Sequence, residues 1–260
     1  MILCICLSPA VDVTYHVGRM MPGATVRVRT VAEHAGGKGV NVGRVLHTLG
    51  EQVLLVAPAG GATGEDLRAR LDDADLPSRL VPSNVPTRRT VTVVEAHGQA
   101  TCLVEPAAID CWPELLGAVR RALSGARVVV VSGSIPGGVP AGGVADLVRT
   151  VREHGLPVVA DTHGPALLEA LAAGADVVKP NAEELAQATD GEEPVRAARV
   201  LADHHRTTVV ASLGSAGVVA ATRSGTWQAR PATTVTGNPT GAGDALVAGL
   251  ARGLSRDRAA

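Results

Sequence analysis

The chain has 260 residues, 46% of them hydrophobic, which is enough for one large domain with a core of its own; two domains of ordinary size is the less economical reading. A net charge of −1 offers no basic surface for nucleic acid or for an anionic membrane. No run of about 18 apolar residues could span a bilayer, and no basic segment precedes the short apolar run at the start, so a soluble cytoplasmic protein is expected, with no nucleic-acid or membrane partner.

The predicted elements alternate for most of the length. Residues 2–7 read as a buried strand, with Cys4 and Cys6 on one face as small core residues. Residues 12–35 alternate apolar and polar, as in half-exposed strands. A helix is expected over 39–50, a strand over 53–57 and a helix over 64–71. Residues 87–105 alternate again, with a turn at His97-Gly98. Strands at 127–132, 157–161, 176–178 and 207–212 are then interleaved with helices at 141–154, 165–172, 181–188 and 194–203. Residues 255–260 read as a frayed polar end. With no Phe, two Trp and one Tyr, the core has to be built from Val, Leu, Ala and Ile.

Buried strands alternating with helices predict an α/β fold: a mostly parallel sheet between two helical layers. The two alternating segments predict a small second sheet that acts as a lid, so that residues 1–260 form one domain with lid segments near 12–35 and 87–105. Ligands in such folds sit at the carboxyl ends of the strands, and the polar motifs fall at those ends. Ser8-Pro9-Ala10-Val11-Asp12 follows the first strand, and Asp12 is either a turn residue or a sugar-binding carboxylate. Gly36-Gly37-Lys38-Gly39-Val40-Asn41 opens a helix, either as a tight turn or as a loop that lets a ligand approach the backbone. It lacks the spacing of a Walker A loop. Ser132-Gly133-Ser134 supplies two hydroxyls at another strand end.

Lys179-Pro180-Asn181-Ala182-Glu183-Glu184 reads either as a capping box or as a site for nucleotide phosphates, with Glu184 near Mg²⁺ or its waters. Ser212-Leu213-Gly214-Ser215-Ala216-Gly217 is a hairpin turn or a phosphate-lining loop. Among 24 Lys and Arg, only Lys38 and Lys179 are lysines, and both lie in these Gly- or Pro-marked segments. Gly237-Asn238-Pro239-Thr240-Gly241-Ala242-Gly243-Asp244 leads into a helix. Free amides and a positive dipole end make an anion site there, and a carboxylate in its mouth suits a base that takes a proton from an attacking hydroxyl. A plain helix start with an acidic first turn is the alternative.

Together these motifs resemble the ribokinase-like PfkB family of sugar kinases. Gly36–Asn41 resembles the first family signature and Asn238–Asp244 the second. The resemblance implies a ribokinase-like three-layer fold and ATP with Mg²⁺ as cofactors. It implies Gly241, Ala242 and Gly243 as the anion hole and Asp244 as the base. Asp12, Gly36, Gly37 and Asn41 would hold the sugar. Lys179, Asn181, Glu184, Ser212, Gly214 and Gly217 would line the nucleotide side, with Glu184 reaching the metal through water.

Ser8-Pro9-Ala10-Val11-Asp12 and Pro86-Thr87-Arg88 resemble the branch that acts on sugar phosphates, 1-phosphofructokinase and tagatose-6-phosphate kinase. That branch would place Arg88, with Arg27, Lys38 and Ser132, on the substrate's existing phosphate. The expected reaction is phosphorylation of fructose 1-phosphate or tagatose 6-phosphate to the bisphosphate. A kinase of a free sugar or a nucleoside is the alternative. Family members usually continue with further helices beyond the second signature, and this sequence runs sixteen residues past Asp244. An incomplete adenine side is therefore expected, and with it a further alternative, a sugar-phosphate-binding protein without catalysis. Pairing of two copies through the lid is also expected.

Overall fold

The computed structural model describes residues 1–231 and 241–257. Its larger sheet starts with β1 (Ile2–Ile5), which is flanked by β4 (Val53–Ala59) and β8 (Val128–Ser132). β5 (Ser78–Pro82) lies outside β4 and forms one edge. On the other side follow β9 (Val158–Asp161), β10 (Val177–Val178) and β11 (Thr208–Ser212). These seven strands pair parallel. An antiparallel hairpin, β12 (Val218–Thr222) and β13 (Gly225–Ala229), completes the order β13-β12-β11-β10-β9-β8-β1-β4-β5 among the described residues.

Continuous apolar runs build the strands because both faces are covered. Leu3, Ile5, Val129 and Val131 point to one side, Ile2, Cys4, Val128 and Val130 to the other, as the two-residue period of a strand demands. The first face packs α3 (Trp112–Leu123), α4 (Gly143–Glu153), α5 (Pro165–Ala172), α6 (Ala182–Ala188) and α7 (Pro194–His205). The second packs α1 (Lys38–Thr48), α2 (Gly61–Asp73) and α8 (Ala242–Asp257). The expected three-layer α/β fold is the one observed. The largest fully buried side chains are Ile and Leu, in line with the scarcity of aromatics.

The second sheet has the order β3-β2-β6-β7, from β2 (Ala10–Val17), β3 (Val28–Gly36), β6 (Arg88–Glu95) and β7 (Ala100–Val104). β2 pairs parallel with β6, and the outer two pairs are antiparallel. β2 begins five residues after β1 ends, so this sheet rises directly from the carboxyl end of the main sheet. Val31, Leu103 and Val104 are more than half exposed on it.

Several features differ from the sequence expectations. Helix α3 was not anticipated, although Leu115, Ala118, Val119 and Ala122 follow the spacing of a buried helical stripe. Strand β5 ends in Pro82, which an edge strand tolerates because one row of its amides has no ladder partner. The end is not a frayed tail as far as it is described: α8 runs to Asp257, and Ser255 is buried. Gly237, Asn238, Pro239 and Thr240 of the second signature lie outside the described residues. Among the described residues no helix is long and apolar enough to cross a membrane.

Candidate active site

Three glycines seat α1 on the end of β1. Gly37 has φ 99° and is the N-cap of α1; a Cβ there would lie 3.0 Å from Ser8 O and from Pro9 Cα. A Cβ on Gly39 would lie 2.7 Å from Cys6 Cβ. Gly36 ends β3 opposite Ala10 of β2, and a Cβ on it would meet the Asp12 carboxyl carbon at 2.1 Å. Only glycine leaves room for the Asp12 carboxylate to lie across the backbone at that point. Lys38 and Asn41 are thereby delivered on the first turn of α1, Asn41 into the cavity that Asp12 lines and Lys38 toward Asp161.

Gly241, with φ 88°, precedes α8, and its carbonyl accepts the Ala245 amide at 2.9 Å. The first-turn amides of a helix have no partner within it. Asp244 lies in this first turn and is buried to 6% exposure. Asn41 Nδ2 donates to Asp244 Oδ2 at 2.9 Å. Burial pushes the Asp244 carboxyl above the usual carboxylate range; the Asn41 hydrogen bond opposes this, Asp161 adds to it, and Lys38 and Lys179 oppose it. Burial also raises Asp12, against the pull of Arg44 and Arg88.

A buried charge cluster lies behind α8. Asp161, at the end of β9, is 1% exposed. Its Oδ2 accepts from Ser132 Oγ at 3.0 Å, and its Oδ1 faces Lys179 Nζ at 3.2 Å and Lys38 Nζ at 3.7 Å. Oδ1 has no hydrogen bond of good geometry, so the two ammonium groups neutralise it through charge alone. Lys179 is itself buried, and a Cβ on Gly243 would lie 3.6 Å from its Nζ. Both lysines of the sequence thus converge on one carboxylate next to the start of α8.

The remaining motif residues continue along the carboxyl ends of β10 and β11. Asn181 caps α6: its Oδ1 accepts the Glu184 amide at 2.8 Å, and Glu184 Oε2 accepts the Asn181 amide at 2.8 Å. The capping reading of this pair is therefore realised, with Glu184 half-buried. Ser212 bridges to Asn181, its amide donating to Pro180 O at 3.0 Å. Gly214 opens a short 3-10 turn that Gly217 closes at φ 90°, and a Cβ on Gly217 would strike Ala229 O. The hairpin by itself thus requires glycine at 217. Among the described residues no three His, Cys, Asp or Glu side chains are grouped to hold a metal.

A cavity of about 680 Å³ lies between the second sheet and the helices α1 and α8 and is lined by Asp12, Asn41, Asp244 and Gly241, with Arg44, Thr90 and Cys102 among its other walls. Arg88 stands at the start of β6, its guanidinium donating to Ser8 O and to Glu105 O at 3.3 Å each, and its buried Nε has no partner. Arg27 is exposed just before β3; neither it nor Arg88, Lys38 or Ser132 is among the residues lining this cavity. Arg44 and Asp161 belong to the constellation and carried no motif signal. Arg44 is one of many arginines, and Asp161 reads as an ordinary strand-end polar residue.

The arrangement can hold a polyhydroxylated ligand against Asp12 and Asn41, take a proton at Asp244, and offer amides and two ammonium groups to anionic charge. The comparisons with known proteins agree with that chemistry. Residues 1–259 match the model of the pfkB family of carbohydrate kinases. The ATP-dependent 6-phosphofructokinase isozyme 2 of Mycobacterium tuberculosis is 35% identical over 273 residues, covering 98% of this chain and 78% of that protein. Tagatose-6-phosphate kinase of Staphylococcus epidermidis is 30% identical over 264 residues, covering 98% and 85%. Phosphofructokinase-2 of Escherichia coli in complex with fructose-6-phosphate superposes with a TM-score of 0.90 at 29% identity, covering 99% of this chain and 87% of that one. Its tetrameric inhibited form gives a TM-score of 0.93 at 32% identity, covering 98% and 88%.

Proposed function

The chain belongs to the pfkB family of carbohydrate kinases, and from that premise we propose that it transfers the γ-phosphoryl group of ATP to a free hydroxyl of a ketohexose monophosphate, giving the bisphosphate. The observation that carries this reading is the buried Asp244 carboxylate, held by Asn41 at the amide-rich start of α8 in the cavity it shares with Asp12.

In this reading the sugar hydroxyls bind Asp12, Asn41 and the backbone at Gly36 and Gly37. Asp244 accepts the proton of the attacking hydroxyl, and a carboxyl raised by burial is a stronger base than an exposed one. The amides of Gly241, Ala242 and Gly243 face the region where negative charge gathers in transfer. The substrate's own phosphate is assigned to Arg88, with Lys38, Ser132 and Arg27; the unpartnered Nε of Arg88 supports a role for that residue.

A kinase of this family uses ATP, and the residues present fit its polyphosphate. Lys179 Nζ lies within ordinary contact distance of the Gly243 position, in the first turn of α8 whose amides have no partner within the helix. Lys179, Asn181, Ser212, Gly214 and Gly217 are assigned to the nucleotide. Glu184 would bind Mg²⁺ through water, because Mg²⁺ keeps several waters and needs one or two carboxylates rather than a protein cage. Bound there, the metal would neutralise phosphate charge.

The relatives named above point to fructose 6-phosphate and tagatose 6-phosphate; the sequence reading adds fructose 1-phosphate. ADP release measured with these three, ribose and adenosine tests the proposal. Turnover confined to ketohexose monophosphates is expected. Turnover with ribose or adenosine alone, or with none of the five, contradicts it. Exposed Val31, Leu103 and Val104 on the second sheet also support pairing of two copies through that sheet. Sedimentation equilibrium giving a dimer that Leu103→Glu dissociates is the expected result.

A further inference from the structure

Arg44 lies one turn beyond Asn41 on α1, and its guanidinium begins a chain of hydrogen bonds that ends on Asp244. Arg44 Nη2 donates to Asn41 Oδ1 at 2.5 Å and to the Ala35 carbonyl of β3 at 3.2 Å. Asn41 Nδ2 in turn donates to Asp244 Oδ2 at 2.9 Å. A primary amide has an oxygen that only accepts and a nitrogen that only donates. Turned over, Asn41 would set its NH₂ against the guanidinium and its oxygen against the carboxylate. Both contacts would repel, so the cation on one side and the anion on the other select a single amide orientation.

We propose that Arg44 is a positioning residue of the site: by holding the Asn41 oxygen it aims the Asn41 amide at Asp244, and so keeps that carboxylate oriented and ionised for proton abstraction. This rests on Asp244 acting as the base. Without Arg44 the amide can rotate, and Asp244 loses the one side-chain hydrogen bond among the described residues that offsets its burial. The other charged groups facing Asp244 are Lys38 at the start of α1, Asp161 at the end of β9 and Lys179 after β10. Those facing Asp12, the other acid in the cavity, are Arg44, Arg88 and His34. None of these apart from Arg44 touches the Asn41 oxygen.

The test is a ¹³C-carboxyl titration of the protein alone, with the Asp244 signal assigned by its absence in Asp244→Asn. Arg44→Ala and Asn41→Ala should each raise the Asp244 midpoint by about half a pH unit or more. The double variant should move it no further than Asn41→Ala does. Arg44→Lys, which keeps the charge and donors on a flexible stem, should recover part of the shift. Arg44→Gln serves the same comparison where alanine loosens α1. A midpoint unmoved by Arg44→Ala and Arg44→Gln overturns the proposal. So does a shift that persists in full on the Asn41→Ala background, because Arg44 would then act by charge alone. The titration needs no turnover. A failed kinase assay would therefore count against the kinase reading, and an unmoved midpoint against this inference.

Discussion

Asn41 and Asp244, 203 residues apart in sequence, meet through a 2.9 Å hydrogen bond that ties the first turn of α1 to the first turn of α8. The bond only partly offsets the burial of Asp244, whose carboxyl stays above its ordinary value. A carboxyl raised in the folded state stabilises the fold below its unfolded pKa, and that contribution is lost as pH rises through the folded value. At neutral pH the charged form therefore costs stability. Asp244→Asn should melt about 1–3 °C higher than the wild type at pH 7.5. The gap should close below about pH 4, where the acid is protonated in both states. Thermal melts at the two pH values check this; a lower melting temperature for Asp244→Asn at pH 7.5 would contradict it.

Gly36 and Gly37 are adjacent, but substitution should fail differently at each. Alanine at 36 puts a methyl group 2.1 Å from the Asp12 carboxyl carbon without a backbone penalty. Gly36→Ala should keep its melting temperature within a few degrees while kcat/KM falls about 10²-fold, the scale of a misplaced binding group. Gly37→Ala should instead unfold earlier, because its φ of 99° strains an L residue and its Cβ meets backbone. Steady-state kinetics beside calorimetric melts separates the two.

Arg88 is the cation that the account places on the substrate's phosphate. Arg88→Ala should raise KM for a ketohexose monophosphate about 10- to 100-fold, as expected for a lost charged hydrogen bond. Arg27→Ala should have a smaller effect, since Arg27 is exposed, whereas Arg88 is half-buried and close enough to act on the Asp12 carboxyl. Equal KM for both variants and the wild type would remove the phosphate from this end of the site.

The main sheet was legible in the sequence because strands buried on both faces leave no alternation to misread. Runs such as Val128–Val131 admit few other readings in an α/β pattern. The Asn181–Glu184 capping box was legible because both partners lie within one helical turn. Asp161 was not. Its partners Ser132, Lys38 and Lys179 come from three other elements, and only the order of the strands brings them together. Arg44 was hidden for a different reason: in an arginine-rich chain, one more arginine on a helix gives no contrast. The strand–turn–strand at β12 and β13 was missed because each strand is five residues long, too short for its alternation to stand out, and β13 at the sheet edge is largely exposed.

Cys102 reports on the same cavity. It is exposed and lines the cavity with Asp12 and Asp244, whereas Cys4, Cys6 and Cys111 are buried. Burial raises the Cys6 thiol to about 11 and moves Cys4 and Cys111 upward as well. An aromatic disulfide reagent should label one thiol of the native protein rapidly, and a bound ketohexose monophosphate should slow that labelling. Rapid labelling of two or more thiols, or no protection at saturating sugar phosphate, would contradict the placement of the substrate.

The central claim is that Asp244 takes the proton of the attacking hydroxyl. Turnover and calorimetric binding of the sugar phosphate, measured side by side for the wild type and Asp244→Asn, test it most directly. In Asp244→Asn, kcat should fall about 10³-fold, the range for loss of a general base, while the sugar-phosphate affinity changes little. Asp244→Asn retaining near-wild-type kcat would contradict it.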